Sequence, residues 1–303
     1  QAIVEKKARG QADLIESFGK QAAKRYKNDT KSVGVNWDRA HDLLKIFNKN
    51  KPLPFAQIDM HLIESFKDFL LKAPRGGNKR GVISQNTAST YFTLFKAALH
   101  QAFIDNYFDV DIAAKVKGIS GVESRREYLT IEELNKLAAT PCDYPMLKKA
   151  ALFSALTGLR HSDIRKMKWS ELSKEGDRYR INFTQRKTGG VEYMPISEQA
   201  YLICGEPGDP DRLVFEGLQD PSYINRPVKV WVAAAGIKKK ITFHCFRHSY
   251  ATNQLTEGTD LYTVSKMLGH TNIRTTQIYA KVVDSKKEEA AQAIKLNLQS
   301  DVI

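Results

Sequence analysis

Cysteine is scarce in this 303-residue chain, and what there is forms no framework. Cys142, Cys204 and Cys245 are an odd number, separated by 62 and 41 positions, which excludes a disulfide scaffold and a paired-cysteine zinc site. A reducing cytoplasm fits that usage. No apolar run approaches the roughly 18 residues that a membrane-spanning helix needs, and the first thirty residues carry Lys6, Lys7, Arg9 and Lys20 without an apolar stretch. Neither a membrane span nor an export signal is expected. Also missing are the GxxxxGK phosphate loop, the GxGxxG fingerprint, HExxH and GxSxG, so nucleotide hydrolysis and the common hydrolase templates lose support. The chain opens at Gln1 rather than Met, as a processed or excised fragment missing an N-terminal segment would.

What the chain has in excess is positive charge. Forty-seven Lys and Arg against 34 Asp and Glu leave a net +13, in an otherwise ordinary globular composition of 42% hydrophobic and 27% charged residues. A polyanion is the expected partner, and without membrane signals that partner is nucleic acid. The charge is uneven: residues 1–126 hold 22 basic and 13 acidic side chains, and the remainder holds 25 and 21.

The more basic part reads as helical. Leu14, Ile15, Phe18 and Ala22 mark one amphipathic stretch; Trp37, Ala40, Leu44 and Phe47 mark a second; Leu62, Phe66, Phe69 and Leu70 a third; Ala88, Tyr91, Phe95, Ala98 and Ala102 a fourth. Together they predict a small helical bundle over residues 1–108. Between the third and fourth lies APRGGNKRG, whose Arg75, Lys79 and Arg80 make a cationic loop, and the helix after it opens with Ser84, Gln85, Asn86 and Thr87. Those short polar side chains suit phosphate or base-edge contacts, so Arg75, Lys79, Arg80, Asn86 and Thr87 are candidate DNA-binding residues.

Apolar periodicity fades over residues 109–126, which read as a linker, and a second domain is expected over 127–303. It begins with a capping box, Thr130 and Glu133, before Leu134 and Leu137. A helix from about Tyr144 to Gly158 and a short one around Ile164 follow. The period then changes to two at Tyr179, Ile181 and Phe183, and a turn at Thr188 to Gly190 leads into Val191, Tyr193 and Ile196, which predicts a β-hairpin. Beyond Pro227 the pattern is helical again. The expected fold class is therefore mainly α with a small antiparallel sheet.

Four of the seven histidines fall from residue 161 onward, and His244, His248 and His270 crowd toward Tyr279. A zinc site from His244, Cys245, His248 and His270 fits poorly, because adjacent helical residues point about 100° apart. No metal or other cofactor is expected. Arg247 lies three residues after His244 on the same helix, so both can face one phosphate.

Four motifs in order carry a family resemblance: Thr157-Gly158-Leu159-Arg160-His161-Ser162-Asp163-Ile164, His244-x-x-Arg247-His248, Leu268-Gly269-His270 and Tyr279. With spacings of 84, 23 and 9 residues from Arg160 through His244, Arg247, His270 and Tyr279, the chain resembles the tyrosine site-specific recombinases of the phage-integrase class. The motifs cover residues 130–280; the helical first part is similar to the family's SAM-like core-binding domain by architecture, charge and position.

The resemblance implies that Tyr279 attacks a scissile DNA phosphate and becomes a 3′-phosphotyrosine. His244 would accept the phenolic proton, Arg160 and Arg247 would hold the non-bridging oxygens, and His270 would donate a further hydrogen bond. Lys187, at the hairpin turn, would protonate the leaving 5′-oxygen; its neighbour Arg186 holds its proton too tightly. Asp163 would orient an active-site cation or histidine. The expected activity is integration or excision of a mobile element by a homotetramer on two duplexes in a prokaryotic cytoplasm, associated with the nucleoid. Resolution of chromosome dimers is the alternative, and a strand-relaxing topoisomerase or a non-catalytic DNA-binding regulator of the same fold would share parts of the pattern. The tail carries Asp284-Ser285 as a cap and Ala290, Ile294 and Leu298 as an apolar stripe, and the resemblance implies that it docks on a neighbouring protomer.

Overall fold

A computed structural model describes residues 10–28, 31–76, 80–122, 126–184 and 191–280. The chain divides into two compact units, Gln1–Ser124 and Arg125–Ile303.

The N-terminal unit is the expected bundle: α1 (Leu14–Asn28), α2 (Lys31–Phe47), α3 (Met60–Lys72) and α4 (Gln85–Ile104). Their apolar stripes meet in one core where Phe18 packs edge-on to Trp37 at 5.5 Å and Phe66 packs against Phe95 at 4.7 Å. Each fully buried Phe is worth roughly 1.5–3 kcal/mol in water removed from its surface. Asp59 caps α3 through the Leu62 amide, and Ser84 caps α4 through that of Thr87. The stretch read as a linker is in its first part packed structure, with Ala113, Val116 and Ile119 buried in this core. Its weak periodicity has a local cause: Gln85, Asn86 and Ser89 of α4 hold the backbone of Ser120, Val122 and Ile119 by side-chain hydrogen bonds, so few apolar contacts are needed.

The second unit contains α5 (Ile131–Ala139), α6 (Pro145–Thr157), α7 (His161–Ile164), β1 (Leu172–Glu175), β2 (Arg178–Thr184), β3 (Val191–Ile196), α8 (Glu198–Cys204), α9 (Pro221–Ala234), α10 (Phe243–Thr256), α11 (Leu261–Met267) and α12 (Arg274–Ala280). Thr130 and Glu133 form the expected capping box on α5. The sheet is antiparallel in the order β1-β2-β3, with Leu172 opposite Ile181 and Ile181 opposite Met194. Two features depart from the expectation. The hairpin gains a third strand, β1, and α9 begins at Pro221 with Pro227 inside it instead of marking its edge.

α10 is enclosed on nearly every side: Phe243, Cys245, Phe246, Arg247, His248, Ser249, Tyr250, Ala251, Thr252 and Leu255 are all buried. At its start the Thr242 amide donates to the Cys245 thiol at 3.3 Å, so sulfur takes the place usually filled by Glu or Gln. Two cationic or titratable side chains on this helix, Arg247 and His248, are thereby carried into the interior, where each needs a partner.

Candidate active site

The Gly158 backbone sits at φ +73°, and a Cβ there would lie 2.6 Å from the Tyr250 ring and 2.8 Å from Leu268, so only glycine fits. This turn ends α6 and aims the Gly158 carbonyl at Arg247, whose Nη1 donates to it at 2.6 Å. Arg247 Nη2 donates to the Leu268 carbonyl at 2.6 Å and to His270 Nε2 at 3.0 Å. One guanidinium, 3% exposed, thus ties the turn before Arg160 to the turn that carries Gly269 and His270. Burial, and then the nearby Arg160 charge, lower its pKa to about 10, so it stays a cation.

Because arginine has only donors, His270 Nε2 must be the acceptor of that bond; the proton lies on Nδ1, which donates to Thr276 Oγ1 at 2.8 Å. Burial and the charges of Arg247 and Arg160 hold the His270 imidazole down at about 4. Thr276, fully buried, lies three residues before Tyr279, so one face of α12 presents both the partner of His270 and the candidate nucleophile.

Tyr279 is 4% exposed and packs with Tyr250, Leu255, Val264 and Leu268. Its hydroxyl is bonded to His248 Nδ1 at 2.7 Å, and the other nitrogen of His248 faces Arg126 Nη1 at 3.3 Å. Burial raises the phenol's pKa, opposed by the charges of Arg126, Arg247 and Arg160. His248 is held near 3, first by burial and then by His244 and the cations.

The expected site residues are thus only partly gathered by direct contact. Arg247 and His270 meet in one network that ends on Thr276, while the Tyr279 hydroxyl bonds separately to His248 and feels Arg247 electrostatically. Arg160, exposed at the start of α7, acts electrostatically on Arg247, His244, His270 and Tyr279, and the half-buried Asp163 favours the Arg247 charge. His244 stacks edge-on to His248 at 4.5 Å and keeps an exposed side chain; burial and then Arg247, Arg126 and Arg160 lower its pKa. The histidine bonded to Tyr279 is His248, not His244. Lys187 lies outside the described residues, as do Lys79 and the tail carrying Ala290, Ile294 and Leu298. Sequence reasoning did not find Arg126 and Thr276 as site members, and it gave His248 no role although that residue lies in the second motif. The one signal for Thr276 was its shared face with Tyr279; His248 and Arg126 are 122 positions apart, and no spacing rule links them.

In the N-terminal unit, Arg75 and Arg80 are exposed, and Arg75 Nε donates to the Val82 carbonyl at 2.9 Å. Asn86 exchanges two hydrogen bonds with Val122, and Thr87 Oγ1 pairs with Ser84 Oγ at 2.8 Å. These two side chains thus already have partners within the unit. Among the described residues, no group of three or more His, Cys, Asp or Glu is placed to hold a metal ion, and no helix is long and apolar enough to cross a membrane.

The helical bundle and the mainly helical unit with its three-stranded sheet have the architecture of the tyrosine recombinases. The backbone superposes on the XerH site-specific recombinase bound to palindromic difH substrate with a TM-score of 0.69 at 17% identity, covering 90% of this chain and 83% of that one. A lambda integrase tetramer bound to a Holliday junction gives 0.62, also at 17%, covering 91% and 80%. Residues 127–286 match the phage integrase family and residues 13–117 its SAM-like domain; the chain belongs to the phage integrase family. A tyrosine recombinase of Pseudothermotoga lettingae is 31% identical over 192 residues, 58% of this chain and 64% of that protein. Three such curated relatives are spanned over 62%, 64% and 47% of their own length.

Proposed function

We propose that the protein is a site-specific DNA recombinase that cuts and rejoins strands through Tyr279. The observation that carries this reading is the Arg247 fork, which draws Gly158, Leu268 and His270 to one point beside the tyrosine although they are spread over more than a hundred residues. Arg160 and Arg247 would surround the scissile phosphate and stabilise the charge that builds on its equatorial oxygens, and His270, whose Nε2 accepts from Arg247, would orient that guanidinium. Tyr279 Oη attacks phosphorus; the bond from phosphorus to the 5′-oxygen breaks. The phenolic proton passes to His244, which is neutral because its pKa is lowered. Lys187 gives a proton to the leaving 5′-oxygen, a role that rests on the hairpin position and the family resemblance. The resulting 3′-phosphotyrosine conserves the phosphodiester energy, and attack by another 5′-hydroxyl reverses the steps.

The partners under this reading are double-stranded DNA and three further copies of the chain on two sites, with the C-terminal tail exchanged between neighbours, in the cytoplasm. Residues 1–108 with their basic loop would grip the duplex, and residues 127–303 would carry the chemistry. We take integration or excision of a mobile element as the role. Resolution of chromosome dimers is the second reading, favoured by relatives such as the XerD recombinase of Listeria innocua, 28% identical over 217 residues. A suicide substrate nicked near the cleavage site tests the chemistry: wild type forms a covalent adduct on denaturing gels, and Tyr279→Phe forms none. An adduct with Tyr279→Phe, or none with wild type, refutes the reading.

A further inference from the structure

The network around Tyr279 contains a contact that the roles above leave unused. We infer that Arg126 and His248 are positioning residues for Tyr279, a relay that fixes His248 as a hydrogen-bond donor to the phenolic oxygen and bars it from acting as the base. This relay rests on the proposed role of Tyr279 as nucleophile.

Donor and acceptor counts fix the tautomer. Arg126 has no acceptor, so at 3.3 Å His248 Nε2 must receive its hydrogen. A neutral imidazole has one acceptor and one donor; with Nε2 accepting, the proton sits on Nδ1, which points at Tyr279 Oη 2.7 Å away. One lone pair of the phenol is thereby occupied, and its own proton must leave along another direction. As that proton leaves, the Nδ1–H bond comes to face a phenolate and turns charge-assisted, about twice as strong as before. In the reverse reaction the same donor faces the tyrosine oxygen as a leaving group.

The relay is held from both ends. His248 is 6% exposed on the enclosed helix α10. The strand of chain leading from Arg126 is pinned to that helix: the Leu129 amide donates to Ser249 Oγ at 2.8 Å, and Asn253 Nδ2 donates to the Leu129 carbonyl at 3.1 Å. Lys239 Nζ also donates to the Tyr128 carbonyl at 3.0 Å. Arg126 is therefore set beside His248 by three anchors within the three residues that follow it. The groups facing His248 are Arg126, His244, Arg247 and Tyr279; those acting on Tyr279 are His248, Arg126, Arg247 and Arg160. None is a carboxylate, so nothing in the relay competes for the proton on Nδ1. The division of labour in His244-x-x-Arg247-His248 follows: the exposed histidine can accept a proton, and the buried one donates a hydrogen bond.

Two measurements test this. In the DNA-free protein, long-range proton–nitrogen spectra of 15N-histidine should show His248 as the neutral tautomer protonated on Nδ1 at pH 7. An Nε2-protonated or imidazolium His248 overturns the inference, whether or not the protein cleaves DNA. With saturating suicide substrate, Arg126→Gln and His248→Leu should form adduct about 10- to 100-fold more slowly, the factor expected for losing one charge-assisted hydrogen bond. His248→Asn, whose amide nitrogen can replace Nδ1, and Arg126→Lys should recover most of the rate, which a general packing defect would not allow. Wild-type rates in Arg126→Gln and His248→Leu overturn it. If wild type forms no adduct, the recombinase reading fails while the tautomer measurement still decides the relay.

Discussion

Substituting Arg247 by Lys keeps a positive charge and removes the planar fork. In the native protein the guanidinium makes three hydrogen bonds from a site 3% exposed, two of them to the carbonyls of Gly158 and Leu268, both buried residues. A lysine ammonium is a single point and cannot reproduce the two diverging donations. Leaving one buried carbonyl unsatisfied costs about 1–3 kcal/mol, and the loss of a second charge-assisted bond adds about 1.5–3 kcal/mol, partly recovered where the ammonium finds one partner. The net loss is about 2–4 kcal/mol. At roughly 2–4 °C per kcal/mol for a domain of this size, the melting temperature should fall by about 5–15 °C without DNA present. Thermal unfolding followed by circular dichroism reads this directly. If Arg247 were only a phosphate ligand held in a repulsive cluster with Arg160, Arg247→Lys would leave the melting temperature unchanged or raise it, and that result would refute the structural role of the fork.

Three other outcomes follow from the same geometry. Gly158→Ala places a side chain in left-handed backbone and within 2.6 Å of the Tyr250 ring, costing about 2–5 kcal/mol; a melting temperature equal to wild type would show that the turn can relax. His244 as base must be neutral, and its lowered pKa keeps it neutral below the usual imidazole value of about 6.5, so adduct formation at subsaturating DNA should hold its neutral-pH rate past pH 6.5 on the acid side. An inflection at or above 6.5 contradicts this. Replacing Arg75, Lys79 and Arg80 by Ala should lower the slope of log K against log salt by about 0.9 for each phosphate no longer neutralised; an unchanged slope removes the loop from the interface.

What could be read from the sequence was whatever a local rule governs. The four bundle helices followed from apolar spacing and the α5 start from Thr130 and Glu133, and the order of the motifs pointed to Arg247 and His270, which the structure brings into contact. β1 was invisible because Leu-Ser-Lys-Glu carries no period-two signal and owes its conformation to the register of Leu172 on Ile181. The same limit applies to Tyr279: its partner is chosen by the crossing of α10 and α12 and by the pinning of residues 126–129, so His244 and His248 could not be told apart from their positions in one motif. Asn86 and Thr87 show the converse. Their polarity at a helix start invited a DNA contact, while their nearest partners are Val122 and Ser84 in the same unit.

The proposed strand exchange comes down to one named oxygen, Tyr279 Oη, becoming bonded to DNA. Trapping the adduct on a suicide substrate, digesting protein and DNA, and locating the phosphonucleotide by mass spectrometry tests it most directly. The modification should fall on the peptide containing Tyr279 and nowhere else; a nucleotide found on any other residue would contradict the proposed chemistry.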